Sequence, residues 1–247
     1  MNHGVQSEGG VAELVRDKGR PAHYLVCNRY LETFRSEWFS SSHWGVALES
    51  VSQGGRGSAW FIDDGQRSWV LRQYLRGGIV SRISADRFLF LGEKKVRSFY
   101  ELKLLQELFD EGLPVPEPVA ASYTRGDASY SACILINRIL AASTMGEQLS
   151  DLESSVWRSV GSVIRRFHDN GVYHADLNCF NILVSPGAVH LIDFDKCRRY
   201  PPSRENAPWK ASNLERLKRS IDKITPPEMS QKTAADWQQL LSAYHAY

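Results

Sequence analysis

Between Tyr173 and Asp195 the chain carries three oxygen-bearing side chains at short spacing: Asp176, Asn181 and Asp193. The run reads Tyr173-His174-Ala175-Asp176-Leu177-Asn178-Cys179-Phe180-Asn181, followed by two apolar stretches around Ser185-Pro186-Gly187, and closes on Asp193-Phe194-Asp195. Short apolar stretches about a Pro-Gly turn predict a β-hairpin. A hairpin returns its second strand beside the start of its first, so Asp176, Asn181 and Asp193 meet at one end. Phosphoryl transfer from a nucleotide needs such a set. One carboxylate orients the attacking hydroxyl and accepts its proton, while an amide oxygen and a second carboxylate hold magnesium against the phosphates. Magnesium is a hard cation that takes oxygen ligands. The alternative is an ordinary polar loop between two buried strands. An Asp-Phe dipeptide alone would not decide between them; the joint spacing H-x-D-x-x-x-x-N before it favours chemistry.

That joint spacing resembles the catalytic loop and metal-binding aspartate of protein-kinase-like enzymes. Such a site needs elements to position a nucleotide, and the chain offers them in order. Gln53-Gly54-Gly55-Arg56-Gly57-Ser58 lies between strand-like stretches at 46–51 and 59–62. Glycines there let backbone N–H groups approach phosphates without interference from Cβ. Asp63-Asp64-Gly65 is a hairpin turn leading into a strand over 69–74. Where the kinase-like pattern has a phosphate-binding lysine on that strand, this chain has Arg72, which supplies the charge with a planar fork. A helix is expected over 94–110, since Val96, Phe99, Tyr100, Leu104 and Leu108 recur at helical spacing, and Gly112 and Pro114 end it. Glu101 on this helix is the candidate partner of Arg72; a surface pairing with a nearby lysine is its bland alternative. Strands at 118–124 and 131–136 would lead to a hinge near 137–140. Ser150-Asp151-Leu152-Glu153 reads as a capping box for a helix whose buried face includes Leu152, Val156, Val160, Val163, Ile164 and Phe167. Gly171 is its expected stop. His168 is expected to pack or cap, and His174 to hold the catalytic loop by hydrogen bonds. Further helices are expected near 213–221 and from about 234 onwards.

With 247 residues and an ordinary apolar fraction, the chain can form one globular unit or two small lobes. The net charge of +2 gives no indication of nucleic acid as a partner. The charge is uneven, however. Arg72, Arg76, Arg82, Arg87, Lys94, Lys95 and Arg97 face only Asp86 and Glu93 in the same stretch, and a second basic run spans 196–219. Such runs suit an anionic partner, or are simply solvated faces. The first 20 residues are polar and expected to be poorly ordered. The aromatic-rich stretch 24–44 is expected to pack on the first lobe, with a membrane-facing patch as the alternative. No signal-like or spanning apolar stretch is present, so a cytoplasmic location is expected. Cys27, Cys133, Cys179 and Cys197 show no C-x-x-C spacing and are expected to be reduced thiols.

The chain also resembles a narrower family, the 3-deoxy-D-manno-octulosonic acid (Kdo) kinases, relatives of the lipopolysaccharide heptose kinases. The resemblance rests on Gly55-Arg56-Gly57-Ser58, the strand Trp69–Tyr74 with Leu75-Arg76-Gly77-Gly78, the stretch 112–121, Tyr173-His174-Ala175-Asp176-Leu177-Asn178, Leu191–Asp195 and Asn213–Leu217. It covers roughly residues 24–222. It implies an α+β, protein-kinase-like two-lobed fold: an antiparallel-sheet N-lobe over 21–137 and a reduced helical C-lobe over 138–247. It implies transfer of the ATP γ-phosphate to a Kdo hydroxyl on a lipid A precursor, with Mg2+ as cofactor. By position, Asp176 would be catalytic, Asn181 and Asp193 would bind magnesium, Gly55 and Gly57 would cover the phosphates, and Arg72 and Glu101 would form the cation pair. The enzyme would act peripherally at the anionic cytoplasmic face of the inner membrane, with no protein partner evident. Ala175 stands where many protein kinases have an arginine, so no phosphorylation switch is expected. Asp195 replaces the glycine after Asp-Phe and either adds a carboxylate to the metal site or stiffens the turn. Another small-molecule or heptose kinase, and an inactive nucleotide-binding scaffold, remain as rival readings.

Overall fold

The structure is a computed structural model that describes residues 6–7, 12–16, 22–51, 59–75, 86–201 and 207–246. The chain divides into two units: 1–110 with 116–138, and 111–115 with 139–247.

The first unit is built on an antiparallel sheet. Its strands are β1 (Gln6–Ser7), β2 (Ala12–Arg16), β3 (Ala22–Cys27), β4 (Leu48–Ser50), β5 (Ala59–Asp63), β6 (Ser68–Gln73), β7 (Phe88–Leu89), β8 (Pro118–Arg125) and β9 (Ser129–Asn137). The order is β1-β2-β3-β8-β9-β6-β5-β4, with β7 also pairing β9. Two strands thus fall inside the first 20 residues, which were expected to lack order; β2 pairs with β3 from Ala12↔Cys27 to Arg16↔His23. The sheet edge is the reason, because an extended segment there finds ladder partners whatever its composition.

The β5–β6 turn forms as its sequence dictates. Asp63 Oδ1 accepts from Gly65 N–H, and Asp64 Oδ1 accepts from the Gln66 and Arg67 N–H groups. The aromatic stretch folds into short helical turns, including α1 (Ser41–Trp44). It packs into the core of this unit. Trp38 is buried, its ring lies 4.8 Å from that of Trp69, and its carbonyl accepts from Trp44 Nε1 at 2.9 Å. Tyr24, Val26, Ile62, Leu71 and Leu135 belong to the same core.

Helix α2 (Arg97–Asp110) packs on this sheet. It begins three residues later than its apolar spacing suggests, because 93–95 winds as a tighter 3-10 turn. Its buried face includes Phe99, Glu101, Leu102, Leu105 and Leu108, and Ser98 Oγ donates to the Ser122 carbonyl at 3.0 Å. A carboxylate among leucines requires a partner, and it has one, described below.

The second unit holds β10 (Ser143–Thr144), α3 (Ser154–Asp169), β11 (Val172–Tyr173), β12 (Ile182–Ser185), β13 (Ala188–Leu191), β14 (Arg198–Arg199), α4 (Pro208–Ile224) and α5 (Ser230–His245). The expected hairpin is β12–β13, in register from Ile182↔Leu191 to Ser185↔Ala188. Gly187 takes φ +78° at its turn, a conformation that glycine adopts without strain. β10 adds to the hairpin's other edge, and β11 pairs with β14.

The capping box predicted at Ser150–Glu153 is not formed. α3 starts at Ser154 after an extended Glu153 that makes no side-chain cap. The reciprocal bonds occur six residues earlier. Thr144 N–H donates to Glu147 Oε2 at 2.9 Å, and Glu147 N–H donates to Thr144 Oγ1 at 3.2 Å. They open a run of turns over 145–151. The buried face of α3 is also rotated from the one expected: Trp157, Val160, Gly161, Ile164, Phe167 and His168 are buried, while Val156 and Val163 are only partly so. The apolar count had no way to include Gly161, which is buried because α5 crosses there.

Candidate active site

The loop between β11 and β12 carries the expected groups and is held by backbone-directed bonds. Asn181 Nδ2 donates to the Asp176 carbonyl at 2.9 Å, and Asn178 Nδ2 does so at 3.0 Å. Ile192 N–H donates to the Asn181 carbonyl at 3.0 Å, which seats Asn181 next to the residue preceding Asp193. Asp193 itself has φ +64°. A left-handed conformation is uncommon for a residue with Cβ and costs on the order of 1–3 kcal/mol, so surrounding structure must impose it. Phe194 supplies that constraint. It is fully buried, with its ring 5.8 Å from Phe167 and 5.1 Å from His174. The structure therefore brings Asp176, Asn181 and Asp193 together at one end of the β12–β13 hairpin. Asp176 remains exposed, with its side chain 56% accessible.

His174 is buried and tied at both ring nitrogens. Nε2 donates to the Ile192 carbonyl at 2.9 Å, and Nδ1 accepts from Asp176 N–H at 3.3 Å. These two bonds assign the neutral Nε2–H tautomer. Burial agrees, holding the imidazole pKa below the ordinary histidine range against the opposing pull of the Ile192 bond and of Asp193 and Asp176.

α4 braces the same loop with three side chains of one face. Buried Asn213 accepts from His174 N–H at 3.2 Å through Oδ1 and donates to the His174 carbonyl at 2.8 Å through Nδ2. Arg216 Nη1 donates to Asp176 Oδ1 at 3.1 Å. Ser220 Oγ accepts from Cys179 N–H at 3.0 Å. His168 joins from α3: its Nε2 lies 3.3 Å from Asn213 Oδ1 and its Nδ1 2.7 Å from the Tyr244 hydroxyl.

Within the first unit, the expected cation pair forms. Arg72 Nη2 lies 2.5 Å from both carboxylate oxygens of Glu101, and Glu101 is 3% accessible. The Tyr74 hydroxyl also donates to Glu101 Oε2, and the Arg72 guanidinium lies 5.0 Å from the Tyr74 ring centre. Arg72 and Glu101 are thus joined as expected, with Tyr74 as a third member. Gly55 and Gly57 lie outside the described residues, as do Arg76 and Arg82.

Sequence reasoning gave no role to Tyr74, Asn213, Arg216 or Ser220, although the first three lie in stretches that carry the family resemblance. Tyr74 had a signal, since it sits two residues after Arg72 where strand side chains share a face. The α4 residues had a weaker one, a polar row at positions i, i+3 and i+7, whose target could not be read from the helix.

The donor set fits magnesium. The Asn181 amide nitrogen is spent on the Asp176 carbonyl, which turns Oδ1 into the group's remaining acceptor. With the Asp193 carboxylate, the offered ligands are all oxygen. Among the described residues no cluster of three His, Cys, Asp or Glu side chains could hold a metal. Magnesium, held by one or two protein groups plus substrate phosphates, needs no such cluster.

Comparison with known proteins adds the following. The sequence model of the Lipopolysaccharide kinase (Kdo/WaaP) family matches residues 41–244. Proteins named 3-deoxy-D-manno-octulosonic acid kinase are similar over 209 residues: one from Xylella fastidiosa (strain M12) at 40% identity and one from Stenotrophomonas maltophilia (strain K279a) at 41%. In both cases the match covers 83% of this chain and 82% of the relative. Among solved structures, WaaP in complex with acyl carrier protein superposes with a TM-score of 0.56 at 13% identity, covering 91% of this chain and 89% of that one. A glucosamine kinase superposes with a TM-score of 0.51 at 13% identity, covering 98% and 81%. The fold is therefore α+β and protein-kinase-like, as expected.

Proposed function

The chain belongs to the lipopolysaccharide kinase (Kdo/WaaP) family, and from that premise we propose that it is a phosphotransferase moving the ATP γ-phosphate to a hydroxyl of Kdo on a lipid A precursor. The observation that carries the reading is the arrangement of Asp176, Asn181 and Asp193 on one hairpin, in a chain about 40% identical to Kdo kinases. Asp176 is exposed and can accept the proton of the attacking hydroxyl. Its carboxylate orients that hydroxyl; the O–P bond forms as the bond to ADP breaks, and the proton passes to Asp176. Asn181 Oδ1 and Asp193 would hold magnesium, which when bound neutralises charge developing on the phosphates. Arg72, fixed by Glu101 and Tyr74, would direct its cation toward the nucleotide phosphates. Gly55 and Gly57 would cover them.

Lipid A precursors carry phosphates, and Kdo a carboxylate. The basic run from Arg76 to Arg97 suits such an acceptor and an anionic membrane surface, at about 1 kcal/mol per cation near that surface. No helix among the described residues is long and apolar enough to cross a membrane. A peripheral position at the cytoplasmic face of the inner membrane follows from this reading.

The test is transfer of labelled γ-phosphate from ATP, with magnesium, to a Kdo-bearing lipid A precursor, using the wild type and Asp176→Ala. Transfer that depends on Asp176 supports both substrate class and role. A folded wild type that binds ATP but transfers nothing would move the acceptor to another sugar.

A further inference from the structure

The carboxylate proposed as the base has a partner outside its own loop. Arg216 donates to Asp176 Oδ1 at 3.1 Å, with side chains 45% and 56% accessible. An exposed pair of this kind contributes little to stability, about 0–1 kcal/mol. Its placement is nonetheless well defined. Asn213, three residues earlier on α4, clamps both backbone groups of His174, and Ser220, four residues later, accepts from Cys179 N–H. Neighbouring cations on the helix pair within it: Lys218 with Asp222 at 2.5 Å and Arg219 with Glu215 at 3.9 Å. Arg216 reaches the catalytic loop instead. One of its five N–H groups is committed to Asp176, and among the described residues the others have no hydrogen-bond partner.

A guanidinium with an open edge takes a planar carboxylate bidentately. The acceptor hydroxyl must come within hydrogen-bond reach of Asp176. An anion held on the open edge of Arg216 then lies within one sugar ring's width of that hydroxyl. We infer that Arg216 is an acceptor-specificity residue: it takes the carboxylate of a sugar acid on its open edge while Nη1 steadies Asp176. This rests on the phosphotransferase reading above and extends it to how the acceptor is chosen.

The experiment compares wild type, Arg216→Gln and Arg216→Lys on three acceptors: the Kdo-bearing lipid A precursor, the same compound with the sugar carboxyl converted to an amide, and the same compound stripped of lipid phosphates. Arg216→Gln is expected to raise the acceptor KM by about tenfold to a hundredfold with the acid, leaving the KM for ATP unchanged. Wild type on the amide should be as poor as Arg216→Gln on the acid, and combining the two changes should add nothing. Arg216→Lys should recover part of the loss, and removal of the lipid phosphates should leave the effect intact. Equal losses on acid and amide would reduce Arg216 to a positioning residue for Asp176 and overturn the inference. So would an unchanged acceptor KM, a raised KM for ATP, or an effect that vanishes with the lipid phosphates. Failure of the wild type on every Kdo-bearing acceptor overturns the substrate reading and this inference with it.

Discussion

Asp176 and Glu101 are both carboxylates, yet their surroundings give them opposite sensitivities. Asp176 is exposed and makes one ion pair. Asp176→Asn should therefore leave the urea midpoint almost unchanged, within about 0.5 kcal/mol, while kcat falls by a factor on the order of 100 to 10,000. A variant that kept wild-type turnover would remove Asp176 from the chemistry. Glu101 is buried against Arg72 and Tyr74. Glu101→Gln removes the carboxylate charge that faces the partly buried Arg72 guanidinium, and breaking a buried pair from one side costs up to about 3–5 kcal/mol. Its melting temperature should drop by several degrees and the KM for ATP should rise, measured by calorimetry and steady-state kinetics. Asp176, Asn181 and Asp193 were legible because chain order alone brings them together across a hairpin. The role of Arg216 was not, because its partner lies 40 residues away and only packing brings the two near.

At the scale of elements, the loop is positioned by helices as much as by its own hairpin. α4 holds it through Asn213, Arg216 and Ser220, and α3 supports Asn213 through His168. α3 in turn packs closely on α5. A Cβ added at Gly161 would stand 2.2 Å from the Leu240 carbonyl oxygen, and backbone cannot yield as a flexible side chain can. Gly161→Ala should destabilise by about 1–3 kcal/mol, as overpacking does, despite alanine's better helix propensity. A variant as stable as the wild type in urea would show that α5 can shift at no cost. The central strands β5, β6, β8 and β9, the β12–β13 hairpin and the existence of the long helices were legible in the periodicity of apolar residues and in the Gly and Pro stops, whereas β1, β2 and β3 were not. The helix start was not. Ser150-x-x-Glu153 and Thr144-x-x-Glu147 carry the same local pattern, and the second forms its reciprocal bonds where the chain turns away from β10. Local capping chemistry cannot choose between two such sites, since each is a local preference and the decision lies in how the chain packs beyond it.

Over the whole molecule, the expected single boundary at 137–138 becomes an interleaved division. Residues 111–115 belong with the second unit, and the Pro114 carbonyl accepts from Leu191 N–H at 3.0 Å there. No composition change marks that excursion. The second unit also holds a buried histidine that is expected to make stability fall in acid. Burial lowers the His168 pKa to about 4, helped by nearby Lys210 and opposed by its bond to Asn213 Oδ1. The unfolded chain titrates near 6.5, so above that pH both states are neutral and the full stability is present. As pH falls from 6.5 toward 4 the unfolded state gains a proton that the folded state refuses, and stability is lost. The loss from this one group reaches about 3 kcal/mol at the lower end. His174, also held below its ordinary value by burial, acts in the same direction. Carboxylates that lose their ion pairs in acid would lower stability too, so the wild-type trend alone would not identify the histidine. His168→Gln separates them, because it keeps a polar group beside Tyr244 and Asn213 but has no proton to gain. Urea midpoints measured between pH 7 and 4.5 should fall steeply for the wild type and more gently for His168→Gln. Parallel curves would show that His168 is not the group whose protonation the folded state resists.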